Sequence, residues 1–392
     1  MSCDICDIDD ENNNPVRELS AIEREIVSSE NLFGIKLFKG LNDAKPDSNL
    51  FISPLSVSMA LGMALNGATD STYDVMKSTL ELQGLTEDEI NQAYKDLIEL
   101  LVNLDEKVVM NIANSIWIED DFPVLQSFID VNKTYFDAEV ESFDIADPNA
   151  VDIINGWVEE KTNGKIKDII DQIPPNIALY LINAIYFNGT WTYEFDKDNT
   201  KDEPFYNYDN STSMIPMMSM NATLPVLFTD SISIVDIPYG DSLFSMTVIL
   251  PNSEYDINKL AESITNDTWN EWLSQLTNQE LDLYLPKFKL EWDDNLKDVL
   301  TELGMGIAFD NNRADFARIN SQIPLWISRV LHKTFIVVTE EGTEAAAATV
   351  VEMEFKSPGL TTQIIRVNHP FIFAIRERHS RTILFIGKVL SL

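Results

Sequence analysis

The sequence is short of cysteine, histidine, glycine and positive charge, and each shortage narrows what the chain can be. Only two cysteines occur, Cys3 and Cys6, both in an Asp/Asn-rich start, so no disulfide framework crosses the chain. Two thiols are also too few for a structural zinc, which takes four ligands, and the three histidines (His332, His369, His379) lie far off in sequence. Three histidines leave few ways to assemble a Ser-His-Asp or Cys-His machine, and neither a Gly-x-Ser-x-Gly elbow nor a His-Glu-x-x-His pair is present. Of the 14 glycines, the group Gly304-Met305-Gly306 lacks the third glycine and the preceding parallel strand that cradle a phosphate, and it reads as a helix end with a turn. Lys and Arg number 28 against 64 Asp and Glu, a formal charge of −36 that repels phosphate backbones, heparin-like polymers and anionic lipid heads. Nucleic acid is excluded as a partner on that ground, and the acidity is left to a self-repelling surface or to the steering of basic partners. No apolar run approaches the ~18–20 residues of a membrane helix, and the first thirty residues lack the apolar stretch of a secretory signal. Such a chain is either made without a signal or begins after its removal; the expected location is extracellular or at the cell surface, with an intracellular one left open.

What is present is apolar material for a large core: 45% hydrophobic and 10% aromatic residues in a chain of 392. Residues 1–20 are acidic, Asn-rich and poor in large apolar side chains, the composition of a flexible leader. Residues 30–392 show no Gly/Ser linker, internal repeat or charge block, and one domain is expected over 21–392. Helical spacing runs from Ile22 to Leu41, ending at Gly40; Ser53-Pro54 opens a buried helix to Ala68; and Thr86 to Val102 begins with a capping box. A fourth helix runs from Asn149 to the break at Thr162-Asn163-Gly164, with further helical patches at Ile257–Leu276 and Asn295–Leu303. Strands are expected at Val108–Glu119, Ala178–Phe187, Ile232–Ile237, Phe244–Leu250, Leu281–Leu285, Ser328–Val338, Phe371–Arg376 and Thr382–Val389. Helices dominate the first third and strands the last, which is an α+β pattern.

The most informative segment is Glu340 to Leu360, EEGTEAAAATVVEMEFKSPGL. Taken as an extended strand, its side chains alternate between two faces. Thr343, Ala345, Ala347, Thr349, Val351, Met353 and Phe355 fall on one, all apolar or threonine, while Glu344, Ala346, Ala348, Val350, Glu352, Glu354 and Lys356 fall on the other with every charge. That register suits a strand with one face buried. Its flanks suit a loop, because Gly342 offers a backbone hinge and Ser357-Pro358-Gly359 is turn material. From composition alone an ordinary amphipathic strand or an Ala-rich helical turn fits equally.

Gly342-Thr-Glu-Ala-Ala-Ala-Ala-Thr349 resembles the hinge of the inhibitory serpins. Further stretches are similar to the same family in the same order: Asn49 to Ser56, Leu181 to Trp191, Asp236-Ile-Pro-Tyr239, Leu285-Pro-Lys-Phe288, Leu303-Gly304 through Asp315-Phe316, and Asn368-His-Pro-Phe371 with Phe385-Ile-Gly-Lys388. The similarity spans about residue 29 to the C-terminus.

The resemblance implies one domain of three β-sheets and eight to nine helices with an exposed reactive loop. It also implies a single-use inhibitor of serine proteases, not an enzyme, with no cofactor and no metal. The target protease cleaves the loop and is held as an acyl-enzyme while residues 343–355 insert into the central sheet. Loop hinge residues are then Glu341, Gly342, Thr343, Glu344, Ala345, Ala346, Ala347, Ala348 and Thr349, and the inserting face continues through Val351, Met353 and Phe355. Family spacing from Gly342 places the cleaved bond at Lys356-Ser357, which suits trypsin-like enzymes, with Phe355-Lys356 as the alternative. Ser53, Ser56, Asn183 and His332 match a polar cluster that governs sheet opening, and Trp191 matches the aromatic residue near first insertion. A heparin-like polyanion is not expected as a partner, since Asp70 to Ile98 carries only Lys77 and Lys95 among acids. The expected state is a monomer able to polymerise through loop and sheet. A non-inhibitory carrier, chaperone or storage protein on the same fold is the alternative.

Overall fold

The computed structural model describes residues 16–252, 256–343 and 363–392. Helix α1 (Ala21–Ala44) starts at a full capping box, in which the Ser20 side chain accepts from Glu23 N–H and the Glu23 carboxylate accepts from Ser20 N–H. Residues 16–20, leader-like in composition, are bonded to the fold: Arg17 pairs with Glu23, and the Arg17 carbonyl lies 2.9 Å from His379 Nε2. Nor does α1 stop at Gly40. A Cβ there would sit 2.6 Å from Val299 Cγ2, so this glycine allows close packing where a helix end was expected.

Strand β1 (Leu50–Ile52) leads to α2 (Pro54–Leu65), capped by Ser53 with proline in its first turn, and α3 (Asp70–Thr79) follows. Helix α4 (Glu87–Val102) begins at the predicted capping box of Thr86 and Glu89. Strand β2 (Val108–Glu119), α5 (Gln126–Phe136), β3 (Glu139–Phe143) and α6 (Ala150–Lys161) come next, α6 ending where Asn163 and Gly164 take positive φ. After β4 (Leu179–Thr190) the chain forms β5 (Lys201–Tyr206), β6 (Thr212–Phe228), β7 (Ile232–Tyr239) and β8 (Phe244–Pro251). The single helical patch expected at Ile257–Leu276 is two helices, α7 (Ile257–Ser263) and α8 (Asn266–Gln275), because Thr265 takes an extended conformation and caps α8. The remainder is β9 (Thr277–Pro286), β10 (Phe288–Asn295), the short α9 (Lys297–Leu300), β11 (Leu331–Val338), the two-residue β12 (Gly342–Thr343), β13 (Gln363–Arg366), β14 (Phe371–Glu377) and β15 (Ile383–Val389).

Among the described residues the strands form two hydrogen-bonded sheets. One has the order β10-β11-β12-β4-β2-β3; the other runs β1-β15-β14-β8-β7-β6-β9-β13, with β5 also on β6. Three sheets were expected. Two of them are joined because the 17-residue β6 passes from one to the other, pairing β5 and β9 along most of its length and β7 at its end. Every residue of β8, β14 and β15 is buried, so these strands form the centre of the core. That core holds a satisfied charge pair: Asp236 on β7 accepts from Arg376 Nη2 at 2.8 Å and from the Ser245 and Thr247 hydroxyls.

Candidate functional site

At one end of the six-stranded sheet the chain turns from β11 into β12 over a floor of aromatic side chains. Trp191 stacks on Tyr239 with ring centroids 4.3 Å apart and donates from Nε1 to the Thr339 carbonyl at 2.9 Å. Its backbone N–H donates to the Glu341 carbonyl, and Phe195 N–H to that of Glu340. Gly342 has φ 153°, and a Cβ on it would lie 2.1 Å from the Gly189 carbonyl oxygen, so no other residue fits where β12 crosses β4. Thr343 is 2% exposed and shares a hydrogen bond with the Tyr239 hydroxyl.

Two carboxylates fasten this turn. Glu340 meets Lys287 Nζ at 2.7 Å and accepts from the Thr200 hydroxyl at 2.8 Å; Glu341 pairs with Lys197. Burial is the largest single influence and pushes both carboxyls up, but the lysine, backbone and threonine hydrogen bonds together with the lysine charges outweigh it and hold them below the usual carboxylate range. Glu194, by contrast, is raised by burial and by the charge of Glu341.

Below β12 the neighbouring strands part. Gly342-Thr343 pairs with Thr190-Gly189 on one side, and Thr343 pairs with Val338 on the other. Among the described residues β4 and β11 share no ladder of their own. Between them, above α2, lies a cavity of about 210 Å³ lined by aliphatic side chains, Trp326, and the polar side chains of Ser53, Ser56, Asn183 and His332.

The structure thus brings together four of the five residues expected to control sheet opening. The Ser53 backbone N–H donates to His332 Nε2 at 3.0 Å, and its hydroxyl donates to the Leu384 carbonyl at 2.7 Å. Ser56 Oγ donates to the Asn183 carbonyl at 3.4 Å, and Asn183 Nδ2 donates to Asn114 Oδ1 at 2.8 Å. Among the described residues Asn183 Oδ1 is buried with no hydrogen-bond partner. Burial pushes His332 down from 6.5 to about 4, so it is neutral and accepts at Nε2. Trp191 stands apart, under the β12 turn. Sequence reasoning gave no site role to Asn114, Tyr239, Thr200 or Lys287; Tyr239 and Lys287 lie in the family-like stretches Asp236 to Tyr239 and Leu285 to Phe288, while Asn114 and Thr200 carry no signal beyond their place in the chain. Glu344, Ala345, Ala346, Ala347, Ala348, Thr349, Val351, Met353, Phe355, Lys356 and Ser357 lie outside the described residues.

Residues 28–392 match the family model described as Serpin (serine protease inhibitor). The chain belongs to the serpin family. It is 36% identical over 381 residues to human Serpin B3, covering 92% of this chain and 97% of that one. It is 34% identical over 390 residues to Iripin-8 of Ixodes ricinus, covering 96% of each. Among solved structures, the thermophilic serpin tengpin in its native state superposes with a TM-score of 0.86 at 31% identity, covering 96% of both chains. Human thyroxine-binding globulin, in complex with thyroxine, superposes with a TM-score of 0.87 at 29% identity, covering 95% of this chain and 99% of the globulin. The α+β fold read from the sequence is the serpin fold. Among the described residues no helix is long and apolar enough to cross a membrane.

Proposed function

We propose that this serpin inhibits serine proteases of trypsin-like preference as a suicide substrate, offering Lys356-Ser357 for cleavage and then inserting residues 343–355 between β4 and β11. The observation that carries this reading is β12. Gly342 and Thr343 already stand between the two strands, and the cleft continues beneath them. An incoming strand would gain backbone partners on both sides and bury the uncharged face of the segment. Registers fixed at Thr343 support the fit. Six residues on, position 349 falls opposite Asn183 on β4 and opposite His332 on β11. Ser53, Ser56, Asn183, His332 and the Trp191 floor then control how readily the strands separate.

Mixing the protein with trypsin and running denaturing gels tests this. A stable high-mass adduct is expected. Clean loop cleavage with full residual trypsin activity would overturn inhibition and leave the carrier reading, for which the likeness to thyroxine-binding globulin in its thyroxine complex is the precedent.

A further inference from the structure

Glu30, on α1, is 3% exposed, and its carboxyl meets only hydroxyls: Tyr94 of α4 donates to Oε1 at 2.7 Å, and Ser58 of α2 is bonded to Oε2. Ser58 Oγ also lies 3.1 Å from the Leu55 carbonyl, which can only accept. A hydroxyl has one proton, so Ser58 cannot donate to that carbonyl and to a carboxylate together. Every group is satisfied if Glu30 carries a proton, donates it to Ser58 Oγ and leaves the Ser58 proton for Leu55. Tyr94 is the one titratable group that faces Glu30 among the described residues. Helix α2 has none. Lys388, the buried cation of β15, is held away by Asn42, the Pro46 carbonyl and Asn258. Lys95, Asp96 and Glu99 of α4 form no ion pair or hydrogen bond with Glu30 among the described residues. Burial is the largest influence, pushing Glu30 up to about 7 against the opposing pull of the Ser58 and Tyr94 hydroxyls.

We propose that Glu30 is a proton-carrying carboxyl in the contact between three helices, and that losing its proton loosens the hold of α1 and α4 on α2, the helix that presents Ser53 and Ser56 to the cleft. This inference does not rest on protease inhibition, and its readouts are stability and amide exchange. The folded state holds the Glu30 proton more tightly than the unfolded chain does. The contribution is therefore fully present below the unfolded value of 4.5 and is lost as pH rises through about 7. His332 acts with the opposite sign over much of that window, so the difference between parent and variant is the quantity to follow.

Glu30→Gln keeps the shape and the hydrogen-bonding pattern of the protonated acid. Near pH 5 it should match the parent in denaturant unfolding, and its advantage should grow to roughly a hundredfold in folding constant above neutrality. Exchange of α2 amides, corrected for intrinsic rates, should be faster in the parent than in Glu30→Gln near pH 8 and equal near pH 5. A difference that does not change with pH overturns the protonation, and equal exchange at both pH values overturns the link to α2. Should Glu30→Gln not fold, infrared spectra of the parent near pH 6 should contain a protonated-carboxyl band that vanishes above neutrality. In Tyr94→Phe, where a donor to the carboxylate is gone, that band should persist to higher pH. Absence of the band near pH 6 overturns the proposal.

Discussion

The hydroxyls of Tyr239 and Thr343 are hydrogen-bonded to each other in the core, so the side chain of Thr343 is already anchored beneath the six-stranded sheet. Thr343→Arg puts a charge on this inward face, where it has no partner. The expected outcome is conversion from inhibitor to substrate, seen on gels as cleaved serpin with no adduct. If Thr343→Arg traps trypsin as well as the parent, the inward face has been misassigned.

Gly342→Ala tests the crossing just before it. The added Cβ would overlap the Gly189 carbonyl, and the positive φ disfavours any side chain, so β12 should withdraw from the sheet at a cost of about 1–3 kcal/mol. Denaturant unfolding measures that loss, and the stoichiometry of inhibition should rise as insertion slows.

Glu340 and Lys287 make a half-buried pair, with side-chain exposures of 5% and 36%. Solvent at the lysine weakens the pair, so Glu340→Gln should destabilise the turn by about 1 kcal/mol. Because Glu340 is held below its unfolded value, its contribution is present above pH 4.5 and lost as pH falls through the folded value. Thermal melts of parent and variant should therefore converge on acidification.

Much of this was legible before the fold was known, for physical reasons. The capping box at Thr86 is local and needs no tertiary contact, and the apolar runs of β8, β14 and β15 already mark them as strands, which the fold buries along their whole length. Long-range partners left no mark. Gly40 resembles a helix stop until Val299 is brought against it from the far end of the chain. Helix α5 has no side-chain cap, and only Phe128, Asn132 and Phe136 are buried, too weak a periodicity to read. The buried ionisable side chains of Asp236, Arg376 and Glu30 look like surface residues in a chain this acidic, because only packing supplies the counterion of the first two and the hydroxyls around the third.

His332 couples pH to the cleft. Buried and neutral, it accepts the Ser53 N–H, and protonation would abolish that acceptor. Its folded value lies below the unfolded 6.5, so the stability it contributes is present above pH 6.5 and lost as pH falls toward 4. A variant that does not titrate, His332→Gln, should flatten this part of the stability profile. Its general cost should be about 1–3 kcal/mol if the amide leaves the Ser53 N–H unpaired. Unfolding midpoints measured from about pH 7 down to pH 4 check both expectations.

The register through β12 gives the proposed trap its sharpest test. Among the described residues Asn183 Oδ1 is a buried acceptor without a donor, and insertion would set position 349 level with it and with His332. Threonine there brings a hydroxyl that can donate to Asn183 and accept nothing it must break. Thr349→Val keeps the size and removes the donor, so the uncleaved protein should unfold as the parent does. The cleaved form should lose about 1–3 kcal/mol of the extra stability that insertion confers, the cost of leaving a buried acceptor unmet. Thermal or denaturant unfolding before and after loop cleavage measures the two states separately. An equal change in both, or none in either, would mean that the inserted strand does not follow the register begun at Thr343.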